Sequence, residues 1–141
     1  MTRQEIVAFF EDRQSRWKTH DPDELSNGHA EDGTVVSPMF GTLRGRKQIG
    51  DAYRSLFMIF PDWDLTSEAP LIDGTRVAQP FSVGATHVGE FMGLAGTNRH
   101  FKIQGVRLFE MGDGLVQHER RMYDFTGLLI QVGVLRSKPA K

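Results

Sequence analysis

Near the amino terminus, Ile6, Phe9, Phe10 and Trp17 recur at three- and four-residue intervals and share one helical stripe with Arg13. Thr2 stands as an N-cap with Glu5 three residues on, the pattern of a capping box, which predicts a helix to about Lys18. Asp21-Pro22 starts a second, short helix anchored by Leu25 and stopped at Gly28. The turn Glu31-Asp32-Gly33 then releases Thr34 to Val36 as a brief strand, which Ser37-Pro38 closes, and GTLRGR follows as a loop. From Arg46, the spacing of Ile49, Tyr53, Leu56, Phe57 and Phe60 predicts a third helix, ended by Pro61.

The period changes after Trp63. β-Formers dominate as far as Asp124, and Asp73-Gly74 and Asp113-Gly114 each supply a tight hairpin turn, so strands are expected near 62–72, 75–88, 98–111 and 114–124. Phe125 to Leu135 returns to helical spacing, and Ser137 to Lys141 is expected to fray. Helices first and sheet second is an α+β order. No repeat or linker interrupts the 141 residues, so 1–141 is read as one domain, able to bury roughly 70% of its unfolded surface.

Composition removes several function classes. The net charge is −1 with Lys and Arg dispersed, which argues against nucleic acid or an anionic membrane as a partner, and Arg44, Arg46 and Lys47 lead into a helix and form no patch. Without cysteine there is no disulfide framework and no thiolate catalysis, and zinc would need His and carboxylate ligands alone. The first residues lack the apolar core of a signal peptide, and no window reaches the roughly 20 apolar residues of a bilayer span. The expected setting is cytoplasmic.

Candidate chemistry comes from strand alternation. Val77, Gln79, Phe81, Val83, Ala85 and His87 fall on one face of the second long strand. On the last strand Val116, His118, Arg120, Met122 and Asp124 share a face, while Gln117, Glu119, Arg121 and Tyr123 share the other. Ionisable groups among apolar neighbours cannot all be buried unpaired, because each would cost several kcal/mol. Either the Val116-to-Asp124 face is wet or its charges pair. A curved sheet closed by the first and third helices would leave a pocket lined by this face. The alternative is an Arg120–Asp124 ion pair on an exposed sheet with His118 beside it, and His87 as a hydrogen-bonded histidine at a strand end. The aromatic set Phe9, Phe10, Trp17, Tyr53, Phe57 and Phe60 reads as core, with some members edging a pocket. GEFMGLAG lacks the lysine and following helix of a phosphate cradle, and His20, Asp21 and Asp23 are explained by capping, so no metal site is expected.

The order of elements, together with FPDW (Phe60 to Trp63), THVGEFMG (Thr86 to Gly93) and YDFTGLLIQVGV (Tyr123 to Val134), resembles the SnoaL-like polyketide cyclases of the nuclear transport factor two-like superfamily, over nearly the whole chain. The resemblance implies a strongly curved antiparallel sheet wrapped around helices, a conical ligand cavity and a homodimer packed through the sheets. It also implies ring closure by intramolecular aldol condensation without cofactor or metal. The family's acid/base aspartate at the end of the last strand matches Asp124, and the histidine of its THxG motif matches His87. Relatives often carry glutamate, histidine and tryptophan in succession on the last strand, where this chain has His118, Glu119 and Arg120. Arginine in place of an indole makes the wall cationic and points to an acidic or smaller substrate.

Aldol cyclisation removes a proton α to a carbonyl and stabilises the enolate oxygen that results. The expected catalytic set is Asp124 as base with His87 and His118 as donors. Arg120, Gln79, Phe81, Met122, Tyr53 and Trp17 are expected to bind the substrate. Arg120 and Asp124 stand roughly 13 Å apart along an extended strand; if curvature joined them, the carboxylate would become a weaker base and Arg120 a clamp for a substrate carboxylate. Two alternatives remain open: an epoxide hydrolase or isomerase, and a non-catalytic ligand-binding or dimerisation module in which Asp124 only caps the last helix.

Overall fold

A computed structural model describes residues 1–136 and 138, so the expected fraying of Ser137 to Lys141 lies largely outside the described residues. The Thr2 hydroxyl accepts a hydrogen bond from the Glu5 amide at 3.1 Å and starts α1 (Arg3–Trp17), which buries Ile6, Phe10, Arg13 and Trp17. The Asp21 carboxylate accepts from the amides of Asp23 and Glu24 at the start of α2 (Pro22–Ser26). Gly45, at a φ of 85° that only glycine adopts freely, turns the chain into α3 (Arg46–Ile59), which buries Ile49, Tyr53, Leu56 and Ile59.

The strands are β1 (His29–Ser37), β2 (Gly41–Arg44), β3 (Asp64–Ser67), β4 (Leu71–Asp73), β5 (Arg76–Thr86), β6 (His100–Gly112) and β7 (Leu115–Tyr123), followed by α4 (Phe125–Gln131). They form one curved, unclosed sheet in the order β2-β1-β7-β6-β5-β3, with β4 also paired to β5. Every pairing is antiparallel except that of β1 with β7. The larger core cluster, which includes Trp17, Tyr53, Phe60, Phe81, Phe101 and Leu128, fills the space between the helices and the sheet. A smaller one joins Ile6 and Phe10 of α1 to Val77, Phe109, Met111 and Val116. Among the described residues no helix is long and apolar enough to cross a membrane.

Several boundaries differ from the expectation for identifiable reasons. Strand β1 begins at His29, because Glu31 to Gly33 form an irregularity within it; pairing with β7 is interrupted between His29 and Thr34. The segment GTLR is a strand, paired to β1 from Thr34–Arg44 to Ser37–Gly41. The run expected at 62–72 is split into β3 and β4, with Glu68 to Pro70 between them.

One irregularity decides which residues face inward. Glu110 lies opposite His118 and Met111 opposite Val116, so Gln117 is an extra residue on β7, a β-bulge. Val116 is buried, and in unbroken alternation His118, Arg120 and Met122 would follow it inward. The bulge advances the phase by one position, so Glu119 and Arg121 are buried and His118, Arg120 and Met122 are exposed. The expected pocket-lining face of this strand is therefore its outer face. On β5, by contrast, Val77, Gln79, Phe81, Val83 and Ala85 are buried in regular alternation, as their spacing predicts.

Candidate active site

A cavity opens between α1, α3 and the inner face of the sheet. Trp17 and Leu56 bound it from the helices, Phe81, Ile103 and Tyr123 from the strands, and Met39 and Phe40 from the turn between β1 and β2. Arg107 and Arg121 complete its wall. The space within it open to a water-sized molecule is about 20 Å³, enough for one water.

Beside the cavity lies a buried polar cluster drawn from five elements. Glu119 of β7 is 1% exposed and accepts a hydrogen bond from Arg121 Nε at 2.6 Å. Its carboxylate is 3.8 Å from both Arg107 Nε and His29 Nε2. Arg13 of α1 donates to the Leu25 carbonyl at 3.1 Å and to the Tyr53 hydroxyl at 2.7 Å, and Arg121 donates to the same hydroxyl at 3.1 Å. With both guanidiniums donating to it, the phenol directs its own proton to His29 Nε2, 2.9 Å away. Arg13 Nη2 also faces this nitrogen at 3.1 Å, which marks it as the unprotonated one.

The electrostatics follow from burial and these contacts. Burial would raise the Glu119 pKa, but the guanidiniums of Arg121 and Arg107 outweigh it and hold the carboxyl down at about 2. Burial, reinforced by Arg13, lowers His29 to about 3, so it is neutral. Burial lowers Arg107 to about 10 against the pull of Glu119, whereas Arg121 is raised because its contact with Glu119 overcomes burial. Burial also raises Tyr123, with a hydrogen bond to Ser37 opposing.

Arg107 is the unusual member. Its guanidinium carbon lies 4.7 Å from the ring centre of Trp17 and 4.6 Å from that of Phe81, so aromatic rings stack on it. It is 4% exposed, and its Nε has no hydrogen-bond partner among the described residues. Trp63 Nε1 is likewise buried without a partner, and Trp63 lines the same cavity.

The residues singled out from sequence divide into four groups. Trp17, Tyr53 and Phe81 meet at the cavity or its polar cluster. Gln79 is buried, but its amide donates to the Glu68 carbonyl at 3.0 Å, on the side of the sheet's edge that faces Phe10 and Gln14. His118, Arg120 and Met122 lie on the outer face, where His118 Nδ1 contacts the Thr34 hydroxyl. No ion pair joins Arg120 to Asp124 among the described residues.

His87 and Asp124 have structural partners. His87 is 0% exposed, its Nδ1 is 3.0 Å from the Thr97 hydroxyl, and its ring packs against Phe60 and Phe91. The Asp124 carboxylate is exposed and accepts from the Gly127 amide at 2.8 Å, capping α4. A Cβ at Gly127 would collide with that carboxylate. Gly127→Ala is therefore expected to displace the cap and cost about 1 kcal/mol, read as a lowered melting temperature; an unchanged or raised value would show that the carboxylate turns aside freely.

Sequence reasoning missed Arg13, His29, Arg107, Glu119, Arg121 and Trp63. For Arg107 a signal existed, because it alternates with the buried Phe101, Ile103, Phe109 and Met111 along β6. Among the described residues no three His, Cys, Asp or Glu side chains cluster as a metal ion would require.

Comparison with known proteins agrees with this architecture. No curated protein matches the chain in sequence. The structure is similar to TsrD from Streptomyces laurentii (TM-score 0.82, 21% identity, covering 96% of this chain and 99% of that one). It is also similar to IdmH from Streptomyces antibioticus (TM-score 0.70, 25% identity, 92% and 96% covered). A third similar structure is a protein of ketosteroid isomerase-like fold from Catenulispora acidiphila in complex with trimethylamine (TM-score 0.75, 20% identity, 94% and 95% covered). The profile of the SnoaL-like polyketide cyclases matches residues 8–132, so the chain belongs to that family.

Proposed function

We propose that the chain binds a small organic molecule in this cavity and turns it over as a carbon acid, by cofactor-independent cyclisation or isomerisation. Family membership supports a cyclase-type reaction. The observation that carries the chemistry is a pair of buried N–H donors on cavity-lining residues, Arg107 Nε and Trp63 Nε1, that have no partner among the described residues. Donors held in a dry site stabilise the oxyanion of an enolate without having to reorganise.

The base in this reading is Asp124, at the end of β7 next to the cavity-lining Tyr123. One carboxylate oxygen holds the Gly127 amide, and the other takes the proton. Asp124→Asn keeps a cap and removes the base. Ring closure of a linear β-keto ester, or deuterium exchange at its α-carbon, is expected to fall by about 10²- to 10⁴-fold at an unchanged melting temperature. Full turnover by the variant would sink the assignment.

A specific observation favours a second reading, a ligand-binding module. Glu119 is held ionised at about 2, too weak a base to take a proton from carbon, and Asp124 is occupied as a cap. Under this reading the parent chain shows ligand binding without exchange at carbon.

The proposal extends to a homodimer through the outer sheet face, where Pro80, Val106 and Met122 form an apolar row across β5, β6 and β7. Val106→Lys is expected to shift a sedimenting dimer to monomer; unchanged sedimentation would place the contact elsewhere.

A further inference from the structure

We infer that the ligand of this cavity is an organic carboxylate on a flat, unsaturated body, with its charged group bound at the N–H edge of Arg107. The inference rests on the reading of the cavity as the ligand site. It begins from a count of buried charge. Arg13, Arg107 and Arg121 are all buried, Glu119 is the buried carboxylate beside them, and His29 is neutral. Among the described residues, three cations against one anion leave two positive charges without a buried counter-ion, a state that a fold does not gain stability from.

The surplus is not shared evenly. Arg13 donates through its terminal nitrogens to the Leu25 carbonyl and the Tyr53 hydroxyl, although its Nε has no partner among the described residues, and Arg121 donates to Glu119 and the same hydroxyl. Among the described residues Arg107 has only the 3.8 Å approach to Glu119, beyond hydrogen-bond reach. Stacking by Trp17 and Phe81 covers the guanidinium and leaves its edge as the surface that can still donate. An edge of parallel N–H groups matches the two coplanar oxygens of a carboxylate.

The remaining wall describes the rest of the ligand. Trp63, Phe40 and Tyr123 present rings to the cavity, which suits a flat body, and Trp63 Nε1 offers one further donor. The free space of about 20 Å³ is smaller than a benzene ring, so a ligand of this kind requires the wall to yield, and Met39 and Phe40 on the β1–β2 turn are half-buried. A cationic wall was expected from Arg120, which lies outside; Arg107 supplies that charge from the neighbouring strand.

Benzoate and its neutral counterpart benzamide test this directly. The chain contains two tryptophans, Trp17 and Trp63, and both line the cavity, so intrinsic fluorescence reports its occupancy. At constant ionic strength benzoate is expected to quench saturably with a Kd at least about tenfold below that of benzamide. Arg107→Met keeps an unbranched side chain between the rings and removes the charge. It is expected to bring benzoate down to the benzamide level while melting no lower than the parent, because a surplus buried cation has gone. Arg107→Lys keeps the charge without the planar edge, so an intermediate preference is expected. Equal affinity for the two probes, binding of neither, or a preference that survives Arg107→Met would overturn the inference. A markedly lower melting temperature for Arg107→Met would likewise overturn it, by making Arg107 a structural partner of Glu119. Asp124→Asn leaves the benzoate preference in place, so failure of the base assignment and failure of this inference register as separate results.

Discussion

Glu119→Gln is expected to lower the unfolding free energy by about 3–5 kcal/mol. The carboxylate accepts the 2.6 Å bond from Arg121 and lies near Arg107 and His29. Glutamine keeps the shape and takes away the anion that holds three buried guanidiniums in one volume. Against a typical total of about 5–15 kcal/mol, such a loss leaves little margin. Urea denaturation of parent and variant measures it through the midpoint at equal slope. Adding Arg107→Met to the Glu119→Gln background is expected to recover part of the loss, since one of the stranded cations is then gone. A change below about 1 kcal/mol, the value of a solvated ion pair, would mean that water reaches the cluster.

The second large effect is on pH. His29 is held at about 3 against an ordinary 6.5, and Glu119 at about 2 against 4.5. Both groups bind a proton more readily in the unfolded chain, so acid favours unfolding. The contribution of His29 is complete above 6.5 and is lost as the pH falls from there toward 3; that of Glu119 is complete above 4.5 and is lost between 4.5 and 2. The melting temperature is therefore expected to be level near neutrality, to begin falling at about 6.5, and to steepen below 4.5, with each group adding up to about 1.4 kcal/mol per pH unit. In His29→Gln the amide oxygen can accept from Arg13 and Tyr53, and the upper part of the decline is expected to vanish. If the variant declines between 6.5 and 4.5 as the parent does, another group owns that window.

Much of the fold was legible because it is written locally. Thr2 with Glu5, Asp21 with Pro22, and the periodic apolar stripe of α3 each act within a few residues, and the structure uses each one. The inward face of β5 was legible for the same reason. The candidate site was less so. Its polar cluster joins Arg13, His29, Tyr53, Arg107, Glu119 and Arg121, which only long-range packing brings together. His29 follows the glycine that ends α2 and reads as loop, yet it is the first paired residue of β1. Alternation on β7 kept His118 with Arg120 and Met122, and Glu119 with Arg121, but carried the inward phase of Val116 past Gln117 and so assigned the two sets to the wrong sides. A bulge leaves no mark in composition, and Gln117 looks like any other strand residue. Asp124 was legible as a cap from its position just before Phe125, at the start of the last helical stretch, and its carboxylate does hold the Gly127 amide.

The bulge at Gln117 has a bearing on how this wall is compared and rebuilt. The groups that meet a ligand from β7 are chosen by counting residues as much as by their identity. Because Gln117 is the extra residue, its loss would restore regular pairing with β6 and leave Glu119 and Arg121 buried, whereas a regular strand that kept Gln117 would turn His118, Arg120 and Met122 inward. An alignment that places no gap at this point would pair a cavity residue of one protein with a surface residue of another. For redesign, the pairing of β7 with β6 on either side of Gln117 therefore has to be kept if substitutions at Glu119 and Arg121 are to reach the cavity wall.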